Sequence, residues 1–255
     1  EGENNIFILG TPRSGTSLIE SFIASNNEVI SGGELLSAQR LVSEYINEQE
    51  EKDTEEFVKD FRKNYLNKTN YLRGQHKYIL DKLPENFCYL GYLCKILPKS
   101  KIIRTFRDPW DVAVSLFKQR YVTNIPYSAS FFNIGVFMSN FEAINIFWTN
   151  QSDIGQNLID IKYEELVSDP ILYQKKLYDF IGINAEFSEE KRRTFFSQTA
   201  SIRQIGSIVH KKSVKKEEFL DNKDEFYDAL KMQRRYWEKR GIKSKNDEFF
   251  GYKIM

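Results

Sequence analysis

The feature that most constrains the fold lies near the start of the chain, where the apolar run Ile6–Leu9 precedes a short loop. Gly10 opens this loop and Gly15 closes it, and a helix with an apolar face is predicted to start at Thr16. A buried strand, a loop of small residues and a helix N-terminus are typical of a phosphate site. The loop N–H groups and the positive end of the helix dipole point at one spot in such a site.

The side chains of this segment also suit an anion. One arginine and three hydroxyls lie in the loop and the first helical turn: Arg13, Ser14, Thr16 and Ser17. The spacing matches the P-loop pattern G-x-x-x-x-G-K-[ST], except that Thr16 stands at the lysine position. That lysine normally reaches the β- and γ-phosphates of a nucleoside triphosphate. Since it is absent here, we expect the ligand to be a nucleotide with a shorter phosphate chain. The alternative is a strand-to-helix turn that binds no phosphate.

Length and charge limit the remaining classes of protein. The 255 residues suffice for one large α/β domain, so residues 1–255 are predicted to form a single domain. The net charge of +1 argues against a protein that mainly coats nucleic acid. The sequence has no apolar run of about 18 residues and no signal peptide, so no membrane span is expected.

Three further apolar segments are predicted to be strands: Tyr78–Lys82, Ile102–Phe106 and Asn157–Tyr163. Helical patterns separate them, which indicates an α/β fold with a central, mostly parallel sheet flanked by helices. Ligands of open α/β sheets bind at the carboxyl ends of strands, where Lys82 could offset the charge of an anion. The alternative for Lys82 is an ordinary solvated lysine.

Arg107 and Ser115 form a second candidate phosphate site. Arg107 follows the third predicted strand, and Pro109 is typical of the first position of a helix. Ser115 lies two turns into that helix, so both side chains can face one ligand. A guanidinium group is a natural partner of a phosphate monoester because it binds two oxygens at once. The alternative is a helix-capping network of Arg107 with Asp108 and Asp111.

Glu34 is a candidate general base. It follows Gly32 and Gly33, and paired glycines let the backbone pass close to another segment. A carboxylate placed near the phosphate loop in this way could accept a proton from a substrate. The residues alone equally allow a capping role for Glu34 at a helix that starts near Leu35.

The segment from Gly10 to Ser17 resembles the 5′-phosphosulfate loop of sulfotransferases that use 3′-phosphoadenosine 5′-phosphosulfate (PAPS). Its continuation, from Leu18 to Leu35, resembles tyrosylprotein sulfotransferases and bacterial sulfotransferase domains found behind tetratricopeptide repeats. The resemblance extends to about Lys216 and is more specific in the first half. It implies a P-loop-type three-layer sandwich, PAPS as cofactor and 3′-phosphoadenosine 5′-phosphate (PAP) as product.

The resemblance also implies roles for single residues. Glu34 corresponds to the general base, and Lys82 to the lysine that assists departure of the leaving group. Arg107 and Ser115 correspond to the residues that bind the 3′-phosphate. The chain departs from the tyrosylprotein enzymes at Gln119, where those enzymes carry an arginine.

Further roles rest on the resemblance alone. Tyr163 corresponds to a tyrosine that contacts the nucleotide, Ser201 to a serine that supports catalysis, and Gln204 to another nucleotide contact. Lys216 corresponds to a basic residue that follows this glutamine by twelve positions. Because the neighbouring pattern is incomplete, three other lysines compete for this contact: Lys211, Lys212 and Lys215. The alternative for the whole cluster is a solvated basic loop.

The expected activity is in-line transfer of a sulfuryl group from PAPS to an acceptor hydroxyl. A protein tyrosine is favoured as acceptor, with a carbohydrate or a small alcohol or phenol as the alternative. A P-loop nucleotide kinase would want a lysine at Thr16 and an Asp for Mg²⁺, and a non-catalytic binding module would not need Glu34, Lys82 and Arg107.

The sequence also allows predictions about metal binding, the state of the cysteines and the cellular location. No metal is expected, because His76 and His210 are far apart in the sequence. Cys88 and Cys94 are predicted to be free thiols. Many enzymes of this kind dimerise, although no clear dimer motif stands out. We expect a cytoplasmic enzyme, and a lumenal catalytic domain without its anchor is the alternative.

Overall fold

A computed structural model describes residues 1–47, 54–119, 125–150, 154, 157–184, 217–244 and 248–254. Seven strands occur in these residues: β1 (Asn5–Gly10), β2 (Val29–Ser31), β3 (Tyr78–Lys82), β4 (Lys101–Phe106), β5 (Leu158–Lys162), β6 (Glu248–Phe249) and β7 (Tyr252–Lys253).

The described part of the chain also contains nine α-helices. They are α1 (Thr16–Ala24), α2 (Ser37–Asn47), α3 (Thr54–Arg73), α4 (Leu90–Ile96), α5 (Pro109–Lys118), α6 (Phe131–Thr149), α7 (Tyr163–Ser168), α8 (Pro170–Ile181) and α9 (Lys223–Glu238). Short 3₁₀ helices span Pro84–Tyr89, Pro126–Ser128 and Glu217–Asn222.

The first five strands form one sheet in the order β2-β3-β1-β4-β5. All four of its strand pairs are parallel, with Ile8 of β1 opposite both Lys82 of β3 and Ile103 of β4. After β1 the chain builds β2 and β3 on one side and then crosses to β4 and β5 on the other. The strand order therefore reverses around β1, and such a reversal opens a crevice at the carboxyl ends of the strands.

Helices cover both faces of this sheet. Side chains of a strand alternate between the two faces, and β1 shows this with every residue buried. Phe7 and Leu9 pack in a core with α2, α3, α4 and α6, whereas Ile6 and Ile8 pack in a second core with α1 and α8. The prediction of a three-layer α/β fold of the P-loop type is therefore confirmed.

The C-terminal hairpin β6–β7 closes one end of the larger core. The ring of Phe250, which lies in its turn, stacks on Phe106 at the end of β4, with 4.2 Å between ring centroids. Phe249 of the same hairpin is buried and contacts Phe141 of α6. The hairpin thus supports the carboxyl end of β4, where the predicted site lies.

Several elements differ in detail from the sequence-based expectation. The pair Val29–Ile30 belongs to a strand, β2, which is too short for its alternation to be recognised. The residue pattern from Glu85 to Leu97 predicts one helix, but in the structure this segment is divided into a 3₁₀ helix and α4. The residue pattern also predicts a helix from about residue 188 to 198, and this segment lies outside the described residues. In the described helices, no stretch has the length and apolar character that a membrane crossing requires.

Both cysteines are free thiols, as predicted. Cys88 lies in the 3₁₀ helix and Cys94 in α4. Burial raises the pKa of the Cys88 thiol to about 11 and that of the Cys94 thiol to about 12. These thiols therefore stay protonated and act as small apolar side chains near neutral pH.

Candidate active site

Each strand of the parallel sheet delivers a predicted site residue at or just after its carboxyl end. Because the strands are parallel, these ends meet at one edge of the sheet. The residues are the 10–15 loop after β1, Glu34 after β2, Lys82 at the end of β3, Arg107 after β4 and Tyr163 after β5.

The loop between β1 and α1 has the backbone of an anion-binding loop. Gly15 is the N-cap of α1 with a φ of 105°, in the left-handed region that favours glycine. A Cβ atom at Gly15 would lie 2.6 Å from Cδ2 of Tyr163, so the tyrosine ring packs directly on this glycine. Among the described residues, no side chain caps the first N–H groups of α1.

Ser14 differs from the expectation that its hydroxyl faces a phosphate. Its Oγ donates a hydrogen bond to the Thr11 carbonyl oxygen at 2.6 Å and pairs with the Thr105 hydroxyl. Ser14 as a whole is 1% exposed. In this structure Ser14 therefore shapes the loop, whereas Thr16 and Ser17 occupy the first two positions of α1.

The second candidate phosphate site adjoins this loop. The Nε of Arg13 donates to the Oγ of Ser115 at 2.9 Å, and an Nη of Arg107 donates to the Arg13 carbonyl oxygen at 3.2 Å. The Arg107 guanidinium also lies over the ring of Tyr163, 4.3 Å from its centroid. Arg13, the predicted pair Arg107 and Ser115, and Tyr163 thus form one chain of direct contacts. Together they place two guanidinium groups beside the helix N-terminus.

The capping network considered as an alternative for Arg107 is also present. The Asp108 carboxylate accepts a hydrogen bond from the Asp111 N–H at 2.9 Å and caps α5. Arg107 forms a longer ion pair with Asp111, 3.6 Å between Nη2 and Oδ2. The cap therefore holds the first turn of α5, and Arg107 contacts both this cap and the loop.

Glu164 is a site-supporting residue that the sequence did not reveal. Its carboxylate accepts from the Asp108 N–H at 3.0 Å and from the Tyr252 hydroxyl. It thereby ties the turn after β4 to the C-terminal hairpin. Burial, followed by the nearby Glu164 carboxylate, raises the pKa of Tyr252 far above its usual range, so its hydroxyl stays a donor.

Glu34 and Lys82 contact each other at the ends of β2 and β3. The Nζ of Lys82 donates to the Oε1 of Glu34, and the Lys82 N–H donates to the Gly33 carbonyl oxygen at 2.9 Å. Since α2 begins at Ser37, Glu34 precedes this helix rather than belonging to its first turn. The Glu34 side chain is 56% exposed and that of Lys82 is 10% exposed, so the carboxylate is open to a substrate.

Glu20 is a buried carboxylate that also faces Lys82. Its Oε2 lies 3.9 Å from the Lys82 Nζ, and its Oε1 accepts a hydrogen bond from the Ser31 hydroxyl at 2.5 Å. Burial raises the pKa of Glu20, while the Lys82 charge and the Ser31 hydrogen bond act in the opposite direction. Sequence reasoning missed Glu20, and the signal that could have revealed it is its position on one face of α1, four residues after Thr16 and three before Ile23.

Other candidates fall outside what the structure describes. These are Ser201, Gln204, Lys216 and the competing Lys211, Lys212 and Lys215. In the described ranges, no group of three or more His, Cys, Asp or Glu side chains is arranged to hold a metal ion.

The sheet order and the loop after its central strand are those of P-loop-type α/β proteins. Within that class, the chain belongs to the sulfotransferase family, whose sequence model matches residues 5–189. This confirms the family that the sequence resemblance implied. The solved sulfotransferase domain of the Synechococcus PCC 7002 olefin synthase shares the fold, with a TM-score of 0.51 at 20% identity. The match covers 80% of this chain and 81% of that domain.

Two relatives match the sequence over most of this chain. An uncharacterized protein of Aquifex aeolicus (strain VF5) is 30% identical over 233 residues, which are 83% of this chain and 30% of that protein. Protein-tyrosine sulfotransferase 1 of Danio rerio is 27% identical over 189 residues, which are 70% of this chain and 53% of that protein. This chain thus spans 30% of the first relative's length and 53% of the second's.

Proposed function

We propose that this chain transfers the sulfuryl group of PAPS to an acceptor hydroxyl and releases PAP. One observation carries the proposal: the contact cluster of Arg13, Arg107, Ser115 and Tyr163 lies beside the start of α1, which no side chain of the described residues caps. Two guanidinium groups and a helix N-terminus at one sheet edge suit a ligand with two separate phosphates.

The residues present fit PAPS better than a nucleoside triphosphate. The α1 N-terminus would hold the 5′-phosphosulfate, and Arg107 with Ser115 would hold the 3′-phosphate. The lack of a side chain at Gly15 lets the Tyr163 ring pack directly on the loop backbone. Thr16 replaces the lysine that a kinase of this fold uses for the β- and γ-phosphates, which disfavours the kinase alternative.

Glu34 and Lys82 supply groups for the transfer step. Glu34 would accept the proton of the acceptor hydroxyl as that oxygen forms its bond to sulfur. The bond between sulfur and the bridging oxygen breaks, and its electron pair stays on the phosphate of PAP. Lys82 would donate to that oxygen as its negative charge grows. Ser201 as a supporting residue, and Gln204 and Lys216 as nucleotide contacts, belong to the same proposal.

A protein tyrosine is the acceptor that we propose. A relative named protein-tyrosine sulfotransferase 1 matches 70% of this chain, which supports the choice. The exposed Glu34 carboxylate is also open to a bulky acceptor such as a peptide. A small alcohol or phenol, or a carbohydrate, is the alternative that an acceptor comparison tests.

The test is a transfer assay with radiolabelled PAPS and three acceptors: a tyrosine peptide, 4-nitrophenol and an oligosaccharide. Glu34→Gln and Lys82→Met should each lower kcat by about 100-fold, a typical magnitude for lost acid–base or electrostatic catalysis. The matched controls are Glu28→Gln and Lys77→Met. These two residues form an ion pair of 3.2 Å just before β2 and β3, at the opposite end of the same strands.

The controls should retain wild-type kcat, and the peptide should be the preferred acceptor. Absence of transfer to all three acceptors by a wild-type protein that is folded would refute the proposed activity. Full activity of Glu34→Gln would instead remove Glu34 as the base. Preference for the oligosaccharide or 4-nitrophenol would overturn the tyrosine assignment while preserving the transfer chemistry.

A further inference from the structure

Glu20 lies behind the proposed active site, on the second turn of α1. Its side chain is 6% exposed. The carboxylate contacts two elements of the site, because Oε1 accepts from Ser31 at the end of β2 and Oε2 lies 3.9 Å from the Nζ of Lys82. Lys82 therefore lies between two carboxylates, the buried Glu20 and the exposed Glu34.

The same carboxylate is tied to the turn that carries Glu34. The Gly33 N–H donates to the Ser31 hydroxyl at 3.0 Å, and that hydroxyl donates to Glu20 at 2.5 Å. A chain of hydrogen bonds thus runs from the Gly32–Gly33 turn to Glu20. Glu20 is therefore placed to fix both Lys82 and the backbone next to Glu34.

A buried negative charge at this place is unfavourable unless a nearby positive charge compensates it. It is removed from water, and it belongs to the helix whose N-terminus would hold an anion. A neutral glutamine could also accept the Ser31 hydrogen bond, although more weakly. The charge itself is therefore matched to the Lys82 ammonium group rather than to Ser31.

We propose that Glu20 is a positioning residue that holds Lys82 during sulfuryl transfer; this rests on the proposed function. Glu34 becomes neutral when it takes the acceptor's proton, and its ion pair with Lys82 is lost at that moment. Glu20 remains charged and keeps the ammonium group at the site while the bridging oxygen gains charge. The role is exercised through Lys82, without contact between Glu20 and the reacting atoms.

The test is a double-mutant cycle on kcat with Glu20→Gln, Lys82→Met and the double variant. Glu20→Gln keeps the size of the side chain and an acceptor for Ser31. We expect kcat to fall by about 10-fold, with the KM for PAPS and the Kd for PAP within about twofold of wild type. In the Lys82→Met background the same change should have no further effect, because the two residues act as one unit.

Four results separate this role from a structural one. Wild-type kcat for Glu20→Gln would overturn the proposal, and so would an equal loss of kcat in both backgrounds. Glu28→Gln, which removes the carboxylate paired with Lys77, should leave kcat unchanged. Ser31→Ala should lower stability more than kcat, because it removes the hydrogen bond and leaves the Glu20 charge beside Lys82.

A second measurement separates failure of this proposal from failure of the proposed function. Calorimetry of PAP with the wild-type protein tests the cofactor, and a urea-unfolding cycle of the same variants tests the coupling of Glu20 with Lys82 without any ligand. Coupling in unfolding with no PAP binding would refute the activity and the catalytic role with it. PAP binding with additive kcat effects would refute the role of Glu20 alone.

Discussion

The Nε of Arg13 donates a hydrogen bond of 2.9 Å to the Oγ of Ser115, across 102 residues of sequence. Arg13 belongs to the loop expected to bind the 5′-phosphosulfate, and Ser115 to the helix expected to bind the 3′-phosphate. The contact joins the two halves of the proposed nucleotide site directly. A substitution in one half of the site should therefore alter ligand binding in the other half.

Ser115→Ala removes this contact from helix α5. We expect the affinity for PAP to fall by about 10-fold, since a hydroxyl that orients a guanidinium and would contact a phosphate is lost. Isothermal calorimetry measures the change. Ser168→Ala, which removes an exposed hydroxyl from α7, is the control and should bind PAP as the wild type does. Equal affinities of Ser115→Ala and Ser168→Ala would show that Ser115 has no part in the site.

Gly15→Ala places a Cβ atom against the Tyr163 ring. The clash at 2.6 Å adds to the strain of a φ of 105°, so we expect a loss of about 2–4 kcal/mol in unfolding free energy and weaker PAP binding. Gly74→Ala is the matched control, because Gly74 also has positive φ but has nothing within 4 Å of its Cβ position. The unfolding free energy of Gly74→Ala should fall by about 1 kcal/mol, and its affinity for PAP should equal that of the wild type. Equal behaviour of the two variants would argue against close packing of Tyr163 on the loop.

Glu164→Ala removes the carboxylate that joins the turn after β4 to the C-terminal hairpin. The Asp108 N–H and the Tyr252 hydroxyl both lose their acceptor, so we expect a loss of about 2–4 kcal/mol in urea unfolding. Tyr252→Phe removes one of these two hydrogen bonds, so its unfolding free energy should fall by about half as much. A weaker PAP affinity in Glu164→Ala would follow from the displaced turn beside Arg107. Wild-type stability of Glu164→Ala would contradict this role.

Asp81 should make stability depend on pH. Asp81 is 2% exposed, and burial raises the pKa of its carboxyl group from 3.8 to about 7, although the Tyr65 hydroxyl donates to this carboxylate at 2.7 Å. Between about pH 4 and 7 the folded state holds a proton that the unfolded state has lost. This contribution is complete below about pH 4 and is lost as the pH rises through about 7.

Asp81→Asn removes this titration and identifies its source. The unfolding free energy of the variant should improve relative to wild type by a few kcal/mol as the pH rises from 4 to 8. Urea unfolding at a series of pH values gives both curves. A difference between the two proteins that stays constant over this range would show that Asp81 titrates in its ordinary range.

The sequence predicted the elements that carry the candidate site where local signals sufficed. The loop between Gly10 and Gly15, the strands around it and the helix start at Pro109 are specified by glycine, proline and hydrophobic periodicity within a few residues. Because parallel strands end at one edge, placing Lys82 and Arg107 at strand ends was enough to bring them to one region. These predictions needed no knowledge of strand order.

What the sequence could not reveal depends on pairings between distant segments. Glu20 and Glu164 acquire their partners from β2, β3 and the C-terminal hairpin, and no local pattern encodes those contacts. The inward turn of the Ser14 hydroxyl depends on Thr105 of the neighbouring strand. The residues around Tyr163 did not by themselves indicate a role for it. Its ring packs on Gly15 and lies under the Arg107 guanidinium, and both partners are distant in sequence.

The most direct test of the proposed cofactor site is calorimetry of the wild-type protein with PAP, ADP and Mg·ATP, repeated with Arg107→Ala. Arg73→Ala, which removes an arginine at the end of α3, is the control for loss of positive charge. We predict that PAP binds far more tightly than ADP or Mg·ATP, that Arg107→Ala loses about 100-fold or more in PAP affinity, and that Arg73→Ala retains it. Binding of Mg·ATP as tight as that of PAP, or tighter, would contradict the PAPS site and favour a kinase.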